Sequence, residues 1–324
     1  MKAFSPYIAL VEDFFQSNLK SEPPHGLHDP ITYIMGLGGK RLRPALLMAS
    51  GELFGAKKED LIQAAAAIEL FHNFTLVHDD IMDEAPLRRG QETIHQKWDL
   101  NTGILSGDAM LIKSYQLFES YPAEVQMQLV QLFSKTALEV CEGQQYDVEF
   151  ENQENVELAK YIKMISYKTA VLIAAALKMG AIIANASEKE QDQLYDFGLN
   201  LGIAFQIQDD YLDAFADPEK FGKQVGGDIV ENKKTILVIK ALEFASENQE
   251  EKLRDLLATQ SVDQNQKVET VKQLFIDTGS AAFTKAEVER FTKIAFASLA
   301  ELQIANEKKK LLFDFAQELM VRDL

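Results

Sequence analysis

Apolar residues return at steps of three and four along most of the chain, the spacing that lines one face of a helix. Between Leu61 and Asp83 the series runs through Ile68, Phe71, Leu76 and Met82, and Pro86 closes it. A residue that precedes proline is pushed out of the helical region, so this helix stops there. The same spacing predicts helices over about Pro44–Phe54, Gly107–Glu119, Pro122–Phe150, Val156–Ala186, Glu188–Asp213, Lys233–Ser246 and Ala281–Val321, the last one broken. Alternating strand patterns are nearly absent, and no low-complexity tract or Pro/Gly/Ser-rich linker divides the chain. The polar stretches Ser21–His28 and Ser246–Glu250 read as interhelical loops. The expectation is an all-α protein: one large helical bundle, with residues 1–324 forming a single domain.

Composition fits that pattern. Of 324 residues, 47% are hydrophobic, enough for a sizeable core, while 17 Gly and 8 Pro leave little room for tight turns. The 33 basic residues are outnumbered by 50 acidic ones, for a net charge of −17. Such a surface repels nucleic acid and anionic lipid headgroups, so no nucleic-acid partner is expected. Any basic cluster is correspondingly informative. Cys141 is the only cysteine, which excludes an intramolecular disulfide and suits a reducing compartment. The first residues, MKAFSPYIALVEDFFQ, lack a continuous apolar core and carry Glu12 and Asp13, unlike a signal peptide. Ala170–Ala186 is the most apolar stretch, but it is short, Ala-rich and interrupted by Lys178, as befits a buried core helix. The reading is a cytoplasmic protein with no stable membrane insertion.

Two acid clusters carry the chemistry. One predicted helix ends in Asp79-Asp80-Ile-Met-Asp83, and another, 130 residues on, in Asp209-Asp210-Tyr-Leu-Asp213. Residues four apart share a helix face, so each cluster sets carboxylates side by side, where they repel unless a cation intervenes. Magnesium, a hard ion that takes oxygen ligands and shares them with substrate phosphates, suits the arrangement. A solvated acidic face is the plainer explanation of one such cluster. It is less apt here, because both follow strongly apolar runs, FTLVHDD and GIAFQIQDD.

Cationic segments lie near the acids in sequence. In Gly38-Gly39-Lys40-Arg41-Leu42-Arg43-Pro44, Pro44 suits the first position of a helix. That would set Lys40 and Arg43 just before a helix N-terminus, whose free N–H groups favour anions. Arg88-Arg89-Gly90 follows the first cluster; it reads as a diphosphate clamp in preference to a surface pair with Asp83 or Glu84. Phe221-Gly222-Lys223-Gln224-Val225-Gly226-Gly227-Asp228 and Lys233-Lys234-Thr235 follow the second cluster, and glycines around Lys223 suit a loop that closes over substrate. Lys168-Thr169 lies in an apolar helix, where a lysine needs an anionic partner or a route to solvent.

In order, GGKRLRP, LVHDDIMDEAPLRRG, GQQYD, KTA, FQIQDDYLDAFADPEKFGKQVGGDI and NKKT resemble the motifs of the trans-type polyprenyl diphosphate synthases, which include farnesyl and geranylgeranyl diphosphate synthases. They span residues 38–235. The resemblance implies an isoprenoid-synthase bundle around a central apolar cavity, and a homodimer. It implies Mg2+ as cofactor, about three ions per active site with substrate bound. Isopentenyl diphosphate and an allylic diphosphate would be the substrates. Asp79 and Asp83 would hold the allylic diphosphate through magnesium and Asp209 a further ion, with Asp80, Asp210 and Asp213 supporting and Gln144 and Asp147 nearby. Lys40, Arg43, His72 and Arg89 match the isopentenyl diphosphate pocket. Arg88, Lys168, Thr169, Gln206, Lys223 and Lys233 match contacts to the allylic diphosphate.

A chain-length floor falls at Phe74 in this family, five residues before Asp79. Ideal helix geometry puts Phe71 nearer the Asp79 face, about 80° round against about 140° for Phe74. The uninterrupted spacing of DDIMD resembles archaeal-type geranylgeranyl enzymes, and a C15–C20 product is expected. Ala216 and Ile236 depart from the family's frequent glycine and aromatic. A class I terpene cyclase would not need GGKRLRP or Arg89, and would replace the second cluster by an Asn/Ser/Glu pattern. A noncatalytic partner subunit would have lost aspartates. A di-metal carboxylate oxidase would need Glu-x-x-His pairs supplying its metal cluster, and neither aspartate cluster contains one.

Overall fold

The computed structural model of the chain describes residues 2–216, 226–258 and 263–320. It is all-α, as the periodicity predicts. The helices are α1 (Ser5–Asn18), α2 (His25–Gly36), α3 (Leu42–Leu53), α4 (Lys58–Met82), α5 (Ile94–Lys97), α6 (Leu100–Gln116), α7 (Ala123–Glu151), α8 (Leu158–Ile165), α9 (Val171–Ile183) and α10 (Glu188–Phe215). Shorter helices follow at Gly227–Val230, Ile236–Phe244, Glu247–Ala258 and Gln264–Asp277, then Ser280–Glu301 and Asn306–Met320. The predicted break near the C-terminus therefore falls between Glu301 and Asn306.

Capping explains where the prediction slipped. α6 begins at Leu100 and not Gly107, because Asp99 accepts the Thr102 N–H at 2.8 Å and opens the helix early. Ser246–Glu250, read as a loop, is a helix start: Gln249 reaches back to the Ser246 N–H at 3.0 Å, half of a capping box. The same device, complete, opens α10, where Ser187 and Glu190 exchange bonds of 2.9 and 3.4 Å. Ser21–His28 is likewise only partly a loop, since α2 starts at His25. Unpredicted too is a hairpin, Leu87–Arg88 against Gln91–Glu92, turned by Arg89 (φ 54°) and Gly90 (φ 76°). Two positive φ values make the tight turn that matches strand twist.

Contacts divide the chain into two compact units. The first contains residues 1–134, 175–194 and 304–312. Its core includes an aromatic cluster in which Phe133 meets Phe71 and Phe118 edge-on, each at 5.1 Å. In this unit Gly180 lies against α3: a Cβ there would strike Ser50 Oγ and the Leu47 carbonyl. Ser50 also donates to the Leu177 carbonyl at 2.8 Å, fixing the approach. Gly180→Val forces those backbones apart and costs about 2–3 kcal/mol of stability, to be read by urea unfolding. Wild-type stability in that variant would refute the packing argument.

The second unit contains residues 135–174, 195–303 and 313–324. Tyr161, Ile165, Ala204, Ile207, Ile236 and Phe291 share one of its core clusters. Between α8 and α9 the helix widens into a π-turn, Ser166–Ala170. Gly143 of α7 allows this, because a Cβ there would run into the backbone of Tyr167 and Lys168.

Among the described residues one continuous helical stretch, Leu158–Ile183, is long and apolar enough to cross a membrane, and 72% of its most apolar window is buried. Lys178, which interrupts it, reaches Asp192 at 2.5 Å.

Candidate active site

The first acid cluster sits at the end of α4. Asp83 caps that helix and its N–H bonds the Asp79 carbonyl at 2.9 Å, so the two side chains are one turn apart. Asp80 is different. Its carboxylate is 2% exposed and takes a three-bond fork from Arg88: Nε at 2.8 and 2.7 Å, Nη2 at 2.6 Å. Arg88, expected to clamp an allylic diphosphate, is thus held by an acid of the cluster itself and not by Asp83 or Glu84.

GGKRLRP forms a turn into α3. Pro44 stands at the third helical position and not the first, since the helix begins at Leu42; the missing N–H still costs nothing in the first turn. Arg43 consequently lies inside that turn, and only Lys40 precedes it. Gly39 (φ 142°) lies against the Arg89 guanidinium, 2.9 Å from where a Cβ would be. Arg89 donates to the Gly38 carbonyl. Arg43 Nη1 is 3.0 Å from His72 Nε2. Arginine can only donate, so His72 accepts there and carries its proton on Nδ1.

Electrostatics keep that imidazole neutral. Burial first, then the charges of Arg43, Arg89, Arg88 and Arg41, hold the His72 pKa well below 6.5. Burial also lowers the Arg43 and Arg89 values, with Glu69 opposing in both cases. Several guanidinium groups thus surround one neutral imidazole, and the arrangement favours an anion. A pH dependence follows. The unfolded chain protonates His72 near pH 6.5 and the folded chain does not, so the unfolded state binds the extra proton. Stability is present in full above pH 6.5 and is lost as pH falls below it, by up to ~1.4 kcal/mol per unit. His72→Gln, which still accepts from Arg43, flattens that slope in urea unfolding between pH 5 and 8. An unchanged slope would refute the assignment.

The second cluster lies within the other unit, near the end of α10. Asp210 accepts from the Tyr161 hydroxyl at 2.5 Å and from Gln206 Nε2 at 3.1 Å, while Thr169 Oγ1 donates to Gln206 Oε1 at 3.2 Å. Burial, then the charge of Asp228, raises the Asp210 pKa. Asp213 accepts the Asp228 N–H at 3.0 Å, and its carbonyl takes the Gly226 N–H at 2.6 Å. Burial, then Asp213, raises the Asp228 pKa. Lys168, placed by the π-turn, meets Asp147 at 2.5 Å, the anionic partner its apolar helix demanded. Lys233 lies 2.9 Å from Glu231 and 3.6 Å from Asp228. Gln144 is half-buried on α7. Lys223 lies outside the described residues.

Asp228 and Tyr161 went unassigned in the sequence. Asp228 was legible as an acid inside GKQVGGDI. Tyr161 was not, because a buried tyrosine in an apolar helix looks like core.

Among the described residues no three or more His, Cys, Asp or Glu side chains converge into a ready-made metal cage. Paired carboxylates without such a cage fit magnesium, which takes one or two protein oxygens and completes its shell with water and substrate phosphate. In the first unit Asp79 and Asp83 fit that part, since Asp80 is given to Arg88. In the second, Asp209 and Asp213 share a helix face one turn apart.

An all-α protein with helix-borne acid pairs and, in its first unit, clustered guanidinium groups falls in a class suited to phosphate-bearing ligands. The polyprenyl synthetase family model matches residues 24–275, and the chain belongs to that family. It is similar to the geranylgeranyl diphosphate synthase of Sulfolobus acidocaldarius, 36% identical over 98% of this chain and 97% of that one. It also resembles the geranylfarnesyl diphosphate synthase of Natronomonas pharaonis, 34% identical over 97% of this chain and 95% of that one. A crystal structure of a geranylgeranyl pyrophosphate synthase superposes with a TM-score of 0.95 at 51% identity, covering 99% of each chain. The family resemblance drawn from the motifs is borne out.

Proposed function

We propose that the chain, acting as one functional domain over residues 1–324, is a trans-prenyltransferase that joins isopentenyl diphosphate head-to-tail to an allylic diphosphate. The observation that carries this reading is the separation of duties among its charged groups. Asp79 and Asp83, and separately Asp209 and Asp213, offer hard oxygens for magnesium. Arg43, Arg89, Lys40 and the neutral His72 offer a cation-rich pocket that needs no metal. A class I cyclase, which takes one diphosphate substrate, has no use for the second kind.

When bound, magnesium would neutralise the charge that grows on the departing diphosphate. Asp147 would assist beside Lys168, and Asp80 would serve by aiming Arg88. Lys168, Thr169, Gln206, Lys223 and Lys233 would contact the allylic diphosphate, their charge helping most where the C–O bond is nearly broken. The allylic cation is then attacked by the double bond of isopentenyl diphosphate, held by Arg43, Arg89, Lys40 and His72. Loss of a proton to the released diphosphate restores the alkene. Water must be excluded, since it would convert the cation to an alcohol.

A C15–C20 product accords with the geranylgeranyl diphosphate synthases among the relatives, although the geranylfarnesyl enzyme makes a chain one unit longer. Phe74 is the better candidate for a chain-length residue. Phe71 is fully enclosed, packed on Phe74 at 5.5 Å and Phe133 at 5.1 Å. Trimming Phe71 would cost about 3–5 kcal/mol of core stability. Phe74, packed on His78 at 4.8 Å, is also buried, at 7% exposed against 0% for Phe71. The proposal includes a cytoplasmic homodimer, supported by exposed Leu100, Ile104, Leu105 and Ile112 on one side of α6.

The test is to incubate the protein with magnesium, labelled isopentenyl diphosphate and, in parallel, dimethylallyl, geranyl or farnesyl diphosphate, then size the dephosphorylated products. Elongation to C15–C20 is expected, and longer chains from Phe74→Ala. Cyclised hydrocarbon without isopentenyl incorporation would overturn the reading in favour of a cyclase.

A further inference from the structure

Glu69 belongs to none of the motifs above, yet it is the acid on which the GGKRLRP turn closes. Its carboxylate and the Arg41 guanidinium are 3% and 2% exposed, with Nη1 to Oε1 at 2.7 Å. Arg41 Nη2 also donates to the Met35 carbonyl at 2.6 Å. Asn73, one turn on, donates to the Glu69 carbonyl at 2.8 Å and to Oε1 at 3.1 Å, which fixes the carboxylate's rotamer. Arg41 itself has φ 45°, a left-handed conformation that strains a non-glycine residue and needs outside support.

Glu69, His72 and Asn73 share a face of α4, at steps of three and four. Arg41 and Arg43, two residues apart in the turn, grip the first two of these. We propose that Glu69 is a positioning residue for the isopentenyl diphosphate pocket: by pinning Arg41 in the interior, it sets the turn in the register at which Arg43 meets His72.

The alternative, that the pair merely stabilises the fold, is physically weak. Burying two charges strips both of their hydration, and well-packed apolar substitutes for such a pair are often neutral or better. What an apolar pair cannot supply is direction. The Arg41–Glu69 bond is a fixed two-atom register between turn and helix, and Arg43 is displaced when it is lost. Glu69 also supplies negative charge to Arg43 and Arg89, easing the burial of both.

This inference rests on the proposed function, and its test separates the two. The variants are Arg41→Met/Glu69→Leu, which replaces the pair by apolar residues of similar length, and Glu69→Gln, which keeps an acceptor but no charge. Melting temperature and both Michaelis constants are measured. The double variant should melt near the wild type, raise KM for isopentenyl diphosphate about ten- to a hundredfold, and leave KM for the allylic primer unchanged. Glu69→Gln should raise the same KM less, and it decides the matter if the double variant does not fold. Unmoved KM values in a folded variant, or equal rises for both substrates, would overturn the positioning role alone. Wild-type protein that incorporates no isopentenyl unit would sink the function and this inference together.

Discussion

Asp79→Asn lowers turnover about a thousandfold or more while leaving α4 in place. Asp79 and Asp83 are one turn apart, while Arg88 occupies both oxygens of the neighbouring Asp80. Removing one carboxylate therefore halves the acid pair proposed to hold magnesium in that unit. Compensation of charge by a held metal ion is worth several kcal/mol at the transition state. At 1.36 kcal/mol per factor of ten, a loss of about 4 kcal/mol gives the thousandfold. Asp80→Asn makes the contrast: it loosens Arg88 and should cost mainly affinity for the allylic substrate. Turnover under saturating substrates, with circular dichroism for the fold, checks both. An Asp79→Asn enzyme within tenfold of wild type would remove that aspartate from the metal-holding role.

Arg43→Met raises KM for isopentenyl diphosphate about a hundredfold and leaves the allylic primer's KM nearly unchanged. Arg43 spends Nη1 on His72, and its Nε is buried with no hydrogen-bond partner among the described residues. A buried orphan donor on a cation is a site that a phosphate oxygen satisfies. Charged hydrogen bonds are worth about 1.5–3 kcal/mol, and losing roughly 3 kcal/mol gives the hundredfold. Arg43→Lys keeps the charge without the planar fork and should fall between. Initial rates with each substrate varied in turn measure this. Equal rises in both constants would place Arg43 outside the isopentenyl pocket.

Much of the fold, and the acid half of the site, is legible in the amino-acid sequence. The long helices α4, α7 and α10 follow directly from spacing, because a core-facing stripe leaves a three-four period that few other folds imitate. The acid clusters are legible for a related reason: Asp79 and Asp83, or Asp209 and Asp213, are neighbours by helical geometry alone. The hairpin at Leu87–Glu92 is not, since two-residue strands carry no period and its turn uses Arg89 where Asn or Asp is usual. The polar helix starts at Ser246 and Asp99 escape notice because a cap looks like a loop until its reciprocal partner is considered. Long-range pairings are invisible. Arg41 with Glu69, Arg88 with Asp80, and Tyr161 with Asp210 depend on which helices pack, which spacing along one helix does not encode.

The central claim is that cleavage of an allylic diphosphate is coupled to addition of an isopentenyl unit. The most direct test follows both events in one reaction, with geranyl diphosphate as primer, labelled isopentenyl diphosphate and magnesium. The account predicts one diphosphate released for each isopentenyl unit incorporated, with both signals lost on chelation of the metal and in Asp79→Asn. Diphosphate release that continues without incorporation would contradict it.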